Sequence, residues 1–271
     1  MMITPDDLMA ACIAHQLKDG EVVAQGIATP LVAAGYMLAR LTHAPHIYFV
    51  SAIGQSMCRE GAPLSISKVE GLWLDKALKG IGFARAALEI LPSLQPKEFF
   101  RPAQIDPQGN FNNLAFGKDY LTSGSSRLRL PGSGGIPDVT TFLSDICFYV
   151  PRHSRVTFVP QLDVCSGLGF SPQRKRGAGP VYLISDLGQF DFYNGRMRLT
   201  TFHPGVSIQQ IQAKTGFELE IAPDVHETPL PTAEEIDLLH NFIDPNGIRR
   251  LELLSGAPRR QLLAEILEKE R

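Results

Sequence analysis

The chain has 271 residues, 44% of them apolar and 20% charged, which is enough apolar material for a large core and excludes wholesale disorder. Its 26 lysines and arginines against 28 aspartates and glutamates leave a net charge of −2, a poor balance for coating nucleic acid or for a basic membrane-surface protein. No apolar run approaches the roughly 18 residues of a membrane span, and the opening MMITPDDLMAA carries acids where a signal peptide carries positive charge, so a cytoplasmic location is expected.

Thr4, Pro5, Asp6 and Asp7 predict a helix start: a hydroxyl N-cap, a proline where the first turn needs no N–H, and two acids at the positive end of the dipole. The pairs Leu8/Cys12, Met9/Ile13 and Ile13/Leu17 give the helix one apolar face, and Gly20 stops it. Glu21–Gln25 reads as a strand, Gly26–Pro30 as a turn and Leu31–Thr42 as a second helix, ended by Pro45. Ile47–Ala52 reads as a buried strand ending at Gly54. Strand, crossover helix and strand make a βαβ unit, so the fold class expected is α/β, a mainly parallel open sheet with helices on both faces.

Residues 55–70 read as a loop or lid, and 72–91 as one or two helices interrupted near Gly80 and Gly82. Pro102–Asn113 is dense in turn formers and amides, and Gly124–Gly135 is rich in serine and glycine. Phe142–Val150 and Arg155–Pro160 read as strands, and 171–179 as a solvated cationic loop. Val181–Ser185 is a further strand, and Asn194-Gly195 is a type I′ hairpin signal between Phe190–Tyr193 and Arg196–Thr201. Ser207–Lys214 is a short helix, and Thr232–Glu235 is a capping box opening a helix through Phe242. Residues from Ser255 onward are charged and helical, so the division expected is one α/β domain over 1–250 and a charged tail over 251–271.

Gly132-Ser-Gly-Gly135 is the clearest chemical clue, because glycines let backbone N–H groups approach a ligand. Such a loop cradles a phosphate, stabilises an oxyanion or simply turns at the surface; no Lys-Ser/Thr follows, so it is not a Walker loop. The amides between Asp106 and Asn113 either satisfy their own turn or recognise a polar ligand such as a thioester carbonyl or pantetheine. The four cysteines form no CxxC pair and the seven histidines no metal spacing, so no metal is expected, and His203-Pro-Gly reads as a turn rather than a base. A GxSxG elbow is lacking, and Cys58 has no activating base nearby in sequence. Glycine-rich loops after strands place a small-molecule site at the strands' carboxyl ends.

Several segments together resemble the β-subunit of the class I CoA-transferases, particularly glutaconate CoA-transferase. They are Gly26-Ile-Ala-Thr-Pro-Leu31, Thr42-His-Ala-Pro45, Ala103 to Asn112, Gly132 to Gly135, Ile184-Ser-Asp-Leu-Gly188, Phe202-His-Pro-Gly205, Thr215-Gly-Phe217 and Ile243-Asp-Pro245. They run in family order over roughly residues 5–250. Those transferases carry a catalytic glutamate in a short turn after the second strand, which becomes a glutamyl-CoA thioester. Aligned from Ala44-Pro45, that position falls on Ala52 in Ser51-Ala-Ile-Gly54, and the nearest carboxylate along the chain is Glu60. A methyl group is no nucleophile. Two glutamate-lacking relatives share further features: 3-methylglutaconyl-CoA decarboxylases are similar over Gly26–Pro45, and steroid ring-cleaving CoA hydrolases over Asp163–Gly169.

The resemblance implies a β-type subunit, paired with an α-type subunit as αβ or α2β2, that breaks a C–C bond in an acyl-CoA by hydrolysis or decarboxylation. CoA transfer, or a non-catalytic subunit that shapes its partner's cleft, are the alternatives. Coenzyme A enters as part of the substrate, and no cofactor, nucleic acid or membrane partner is implied. The substrate-binding residues expected are Gly54, Asn110, Asn112, Asn113, Arg129, Gly132, Ser133, Gly134 and Gly135, with a thioester oxygen held by backbone N–H groups of the glycine loop. Arg129 is expected to pair with a substrate carboxylate or a CoA phosphate, or to stand at the surface.

Overall fold

The computed structural model describes residues 3–27, 29–117, 120–124 and 128–271. Ala28 of the first expected turn and Ser125–Arg127 of the serine- and glycine-rich segment lie outside the described residues. The chain folds into two compact units: Met1–Ala86, Pro96–Glu98 and Pro229–Arg271 make the first, and Ala87–Gln95 with Phe99–Thr228 the second.

In the first unit, helix α1 (Pro5–His15) starts as expected, with the Thr4 N–H donating to Asp7 Oδ2 at 2.9 Å. It packs on α2 (Pro30–Thr42) at Gly35, where a Cβ would lie 2.6 Å from Ile13 Cγ2, so only glycine lets the helices close that far. Strand β1 (Val22–Gln25) pairs in parallel with β2 (Tyr48–Ser51) on one side and with the start of β5 (Lys97–Phe100) on the other. Antiparallel strands β3 (Ser56–Cys58) and β4 (Ala77–Gly80) extend this sheet beyond β2. Both fall where a loop and helices were expected. Three or four residues are too few for a period to register, and Gln55, at φ 43, reverses the chain without a glycine.

The C-terminal part of this unit opens on the expected capping box, with the Glu235 N–H donating to Thr232 Oγ1 at 3.1 Å and the Thr232 N–H to Glu235 Oε2 at 2.7 Å. Residues 251–271 are anchored rather than trailing. Ile266 of the helix Gly256–Lys269 is buried with Ile248 and Leu251, and the Glu270 carboxylate accepts the N–H groups of Ile66 and Ser67.

The second unit packs around Phe111, Phe148, Phe158, Phe190 and Leu199. Its short hairpins pair β6 (Gln104–Ile105) with β7 (Phe111–Asn112), and β8 (Ala115–Phe116) with β9 (Leu128–Arg129). The wholly buried β10 (Ile146–Val150) is parallel to β11 (Pro180–Ser185). Strands β12 (Gly188–Tyr193) and β13 (Arg196–Phe202) follow antiparallel, and β14 (Glu220–Glu227) lies parallel to β13. Asn194 and Gly195 have φ 50 and 75, as a type I′ turn demands. Phe142 ends the helix Ile136–Phe142 instead of opening a strand. Of the expected strand Arg155–Pro160, residues 155–157 form a turn, because the Ser154 carbonyl accepts both the Thr157 and the Phe158 N–H, while Phe158 makes an isolated parallel bridge to Ile105. Parallel pairs at the heart of each unit and antiparallel additions give the α/β, mainly parallel architecture expected. Among the described residues, no helix is long and apolar enough to cross a membrane.

Candidate active site

Each unit presents groups at the carboxyl ends of parallel strands, where open α/β sheets bind ligands. In the second unit, β5 ends at Phe100 and β10 at Val150, and Arg101 and Arg152 follow directly. Both arginines line a cavity of about 590 Å³, together with Asn113, Phe116, Leu130, Gly132 and Val156. The β8–β9 pairing, extended by the Leu130 N–H to the Leu114 carbonyl at 2.9 Å, brings Gly132 to this cavity. Apolar walls with two guanidinium groups suit a ligand that has an apolar body and an anionic end.

Of the residues expected from sequence, Asn113 and Gly132 meet in this cavity. Ser133 is buried, Gly134 takes φ +52 and Gly132 φ +109, and Gly135 opens the helix Ile136–Phe142. A Cβ on Gly132 or Gly134 would meet nothing within 4 Å, so glycine is required there by backbone conformation and not by crowding. Arg129 is exposed on β9.

The side-chain amides of Asn110 and Asn112 are committed to the protein, in place of the ligand recognition expected. Asn110 donates to Asp106 Oδ2 at 2.9 Å and accepts the Gly169 N–H at 2.8 Å. Asn112 donates to Gln104 Oε1 and to the Ala115 carbonyl, and accepts the Leu114 N–H. The self-satisfied turn is therefore what this segment builds. Sequence reading missed Arg101 and Arg152. The available signal was an arginine one or two residues past the end of a buried strand.

In the first unit, the turn after β2 carries Ala52, the residue on which the resemblance places the glutamate of the transferases. Ala52 is exposed there, and its N–H donates to the Gln25 carbonyl at 2.9 Å. Gly54 belongs to this turn, and its lack of a side chain is explained by packing, since a Cβ would lie 2.9 Å from Trp73 Cβ. Cys58 is buried, and burial pushes its thiol up, against nucleophilic use. Glu60 is an exposed partner of Lys76 at 3.0 Å. The remaining carboxyl is Glu98 on β5, the register partner of Ala24 on β1. It is half-buried, no hydrogen bond or ion pair reaches it among the described residues, and burial pushes its carboxyl up to about 7. Sequence reading did not single it out.

The buried histidines are structural. His153 sits between Ser185 Oγ and Thr215 Oγ1, each at 3.0 Å, and stacks on Phe158. Burial pushes it down to about 3, so it stays neutral. His203 bonds the Ser185 carbonyl at 2.9 Å and Thr228 Oγ1 at 3.0 Å, and burial pushes it down to about 4.

Comparison with known proteins gives no match to a protein-family model. The crystal structure of the decarboxylase AibA/AibB contains a chain 31% identical to this one, with a TM-score of 0.79, covering 92% of this chain and 98% of that one. The β-type subunit of the 3-oxoadipate CoA-transferase of Pseudomonas knackmussii is 29% identical over 259 residues, 86% of this chain and 91% of the relative. The cholesterol ring-cleaving hydrolase IpdB subunit of Mycobacterium tuberculosis is 29% identical over 267 residues, 94% of this chain and all of the relative. With near end-to-end likeness to all three, and the resembling motifs in order along the chain, the protein belongs to the class I CoA-transferase superfamily, among its β-type subunits.

Proposed function

We propose that the protein is the β-type subunit of a heteromeric cytoplasmic enzyme that breaks a C–C bond in an acyl-CoA thioester, by hydrolysis or decarboxylation. The observation that carries this reading is Ala52: the position of the family glutamate, in the turn after β2, holds a methyl group that forms no acyl or CoA adduct. The likeness to a decarboxylase and to a ring-cleaving hydrolase supports it. Breaking the bond leaves an electron pair that spreads onto the thioester oxygen, so the enzyme needs hydrogen-bond donors where that charge develops. Backbone N–H groups of Ser133–Gly135 and the Asn113 amide are the donors proposed. Arg101 and Arg152 hold the anionic end of the ligand, a carboxylate or a CoA phosphate, while Phe116, Leu130 and Val156 exclude water from its apolar part. An α-type subunit completes the site. Coenzyme A arrives as part of the substrate, and the chemistry needs no further cofactor.

CoA transfer is the second reading, favoured by the likeness to the 3-oxoadipate CoA-transferase chain. The two separate on a covalent intermediate. The complex with its α-type partner, incubated with acyl-CoA, should leave the intact mass of this subunit unchanged, and borohydride added afterwards should not abolish activity. A CoA adduct anywhere between Ser51 and Glu60 would establish the transferase instead.

A further inference from the structure

We infer that Glu98 is the acid that protonates the carbon freed when the C–C bond breaks, an inference that rests on the acyl-CoA cleavage reading above. Its placement comes from strand register. Glu98 pairs with Ala24, so both side chains project to one face of the sheet. Two residues on, Gly26 faces the same way, and the register Gln25↔Ser51 sets Ala52 across from Gly26. Glu98 Oε1 lies 3.8 Å from the place a Gly26 Cβ would occupy. The carboxyl thus reaches the glycine beside Ala52, and only one strand spacing, about 4.8 Å, separates that glycine from the vacated glutamate position. The Thr29 methyl stands 3.6 Å from the same Gly26 Cβ place, so the spot beside Gly26 is flanked by a methyl and a carboxyl.

Among the described residues, no ion pair claims this carboxyl. Lys97, next on the strand, turns to Glu21 at 2.9 Å and to the Gln16 carbonyl at 2.6 Å. On the α2 side, Tyr36 donates to the carbonyls of Ala24 at 3.1 Å and Lys97 at 3.4 Å, bracing β1 against β5 under the carboxyl. The buried acids of this unit stand against a cation or a donor: Asp6, Asp7 and Asp244 against Arg249, Glu235 against the Thr232 N–H, and Glu252 against the Leu31 N–H. A half-buried carboxyl that no hydrogen bond or ion pair reaches among the described residues is poised to carry a proton near neutral pH.

In the step assigned to it, the electron pair of the breaking C–C bond stays on the α-carbon and spreads to the thioester oxygen, while the other carbon departs as carbon dioxide or, after water has added to its carbonyl, as a carboxylic acid. The Glu98 O–H bond breaks, its proton forms the new C–H bond, and the carboxylate recovers a proton from water.

The test compares the wild-type complex with Glu98→Gln and Glu98→Asp, following single turnover in D2O, kcat, KM and pH profile. Glu98→Gln should lose about 100-fold or more in kcat with little change in KM. The wild type should lose activity as pH rises through about 7, as an acid must, and this limb should vanish in Glu98→Gln. Glu98→Asp should recover part of the rate with the limb displaced. If Glu98→Gln does not assemble with the partner, Glu98→Asp decides by the same limb, displaced or unchanged. Wild-type kinetics and pH profile in the variants, with C–C cleavage intact, would overturn the role of Glu98 alone. A wild-type complex that moves CoA through an adduct would overturn the cleavage reading and this inference with it.

Discussion

The first unit holds two kinds of shielded carboxyl. Around Arg249, itself 3% exposed on its side chain, stand Asp6 at 3.0 Å, Asp244 at 3.0 Å and Asp7, with His240 on Asp7 at 2.7 Å. Burial pushes Asp7 up, but hydrogen bonds from Thr4, His240 and Arg249 outweigh it and hold the group below the usual carboxylate range. Glu98 is only half-buried, but among the described residues no hydrogen bond or ion pair offsets the burial, which pushes it up to about 7. Asp244, on the same guanidinium, is pushed up by burial despite its bonds, so partners outweigh burial at Asp7 and not at every acid of the cluster.

That contrast can be broken most readily at Arg249. Arg249→Met leaves three carboxylates without their cation and should cost about 3–5 kcal/mol in denaturant unfolding; a loss under about 1 kcal/mol would show that the cluster is not the structural element described. Glu98→Gln should act in the opposite direction. The folded carboxyl titrates near 7 and the unfolded one near about 4.3, so the native state keeps a proton that the unfolded chain releases between those values. Stability therefore falls as pH rises through that window and is level above it. Discounted for partial exposure, Glu98→Gln should gain about 1–2 kcal/mol at pH ~8 and nothing at pH ~4. An equal effect at both pH values would place Glu98 with the bonded acids. A stability effect of similar size belongs to the glycine loop. Gly134→Val puts a side chain at φ +52 with open space around it, costing about 1–2 kcal/mol of backbone strain. Turnover of acyl-CoA should nevertheless fall while the circular dichroism spectrum stays unchanged, and wild-type kinetics would make the loop a surface turn.

Local chemistry was legible in the sequence wherever a few adjacent residues decide the outcome. Thr4 to Asp7, Asn194-Gly195 and Thr232 to Glu235 build the caps and the turn that their spacing predicts. The strands β3 and β4 were not legible, being too short to show a period, and in Arg155–Pro160 the Ser154 carbonyl turns the first residues so that the expected strand shrinks to a bridge from Phe158 to Ile105. Asn113 and Gly132, singled out from composition, line one cavity, and Ala52 was singled out from the resemblance. Arg101 and Arg152 are 51 residues apart and converge only once β5 and β10 are in place. Glu98 is a single acid between Lys97 and two phenylalanines, and nothing marks it until parallel register sets it beside Ala24 and leaves it without a bond.

The titration of Glu98 itself tests the central claim most directly. With glutamate carboxyls labelled with carbon-13 in the assembled complex, one resonance should titrate near 7 and be missing from Glu98→Gln. Every glutamate titrating below about 5, in the range of ordinary carboxylates, would contradict the account and leave the proton to the partner subunit.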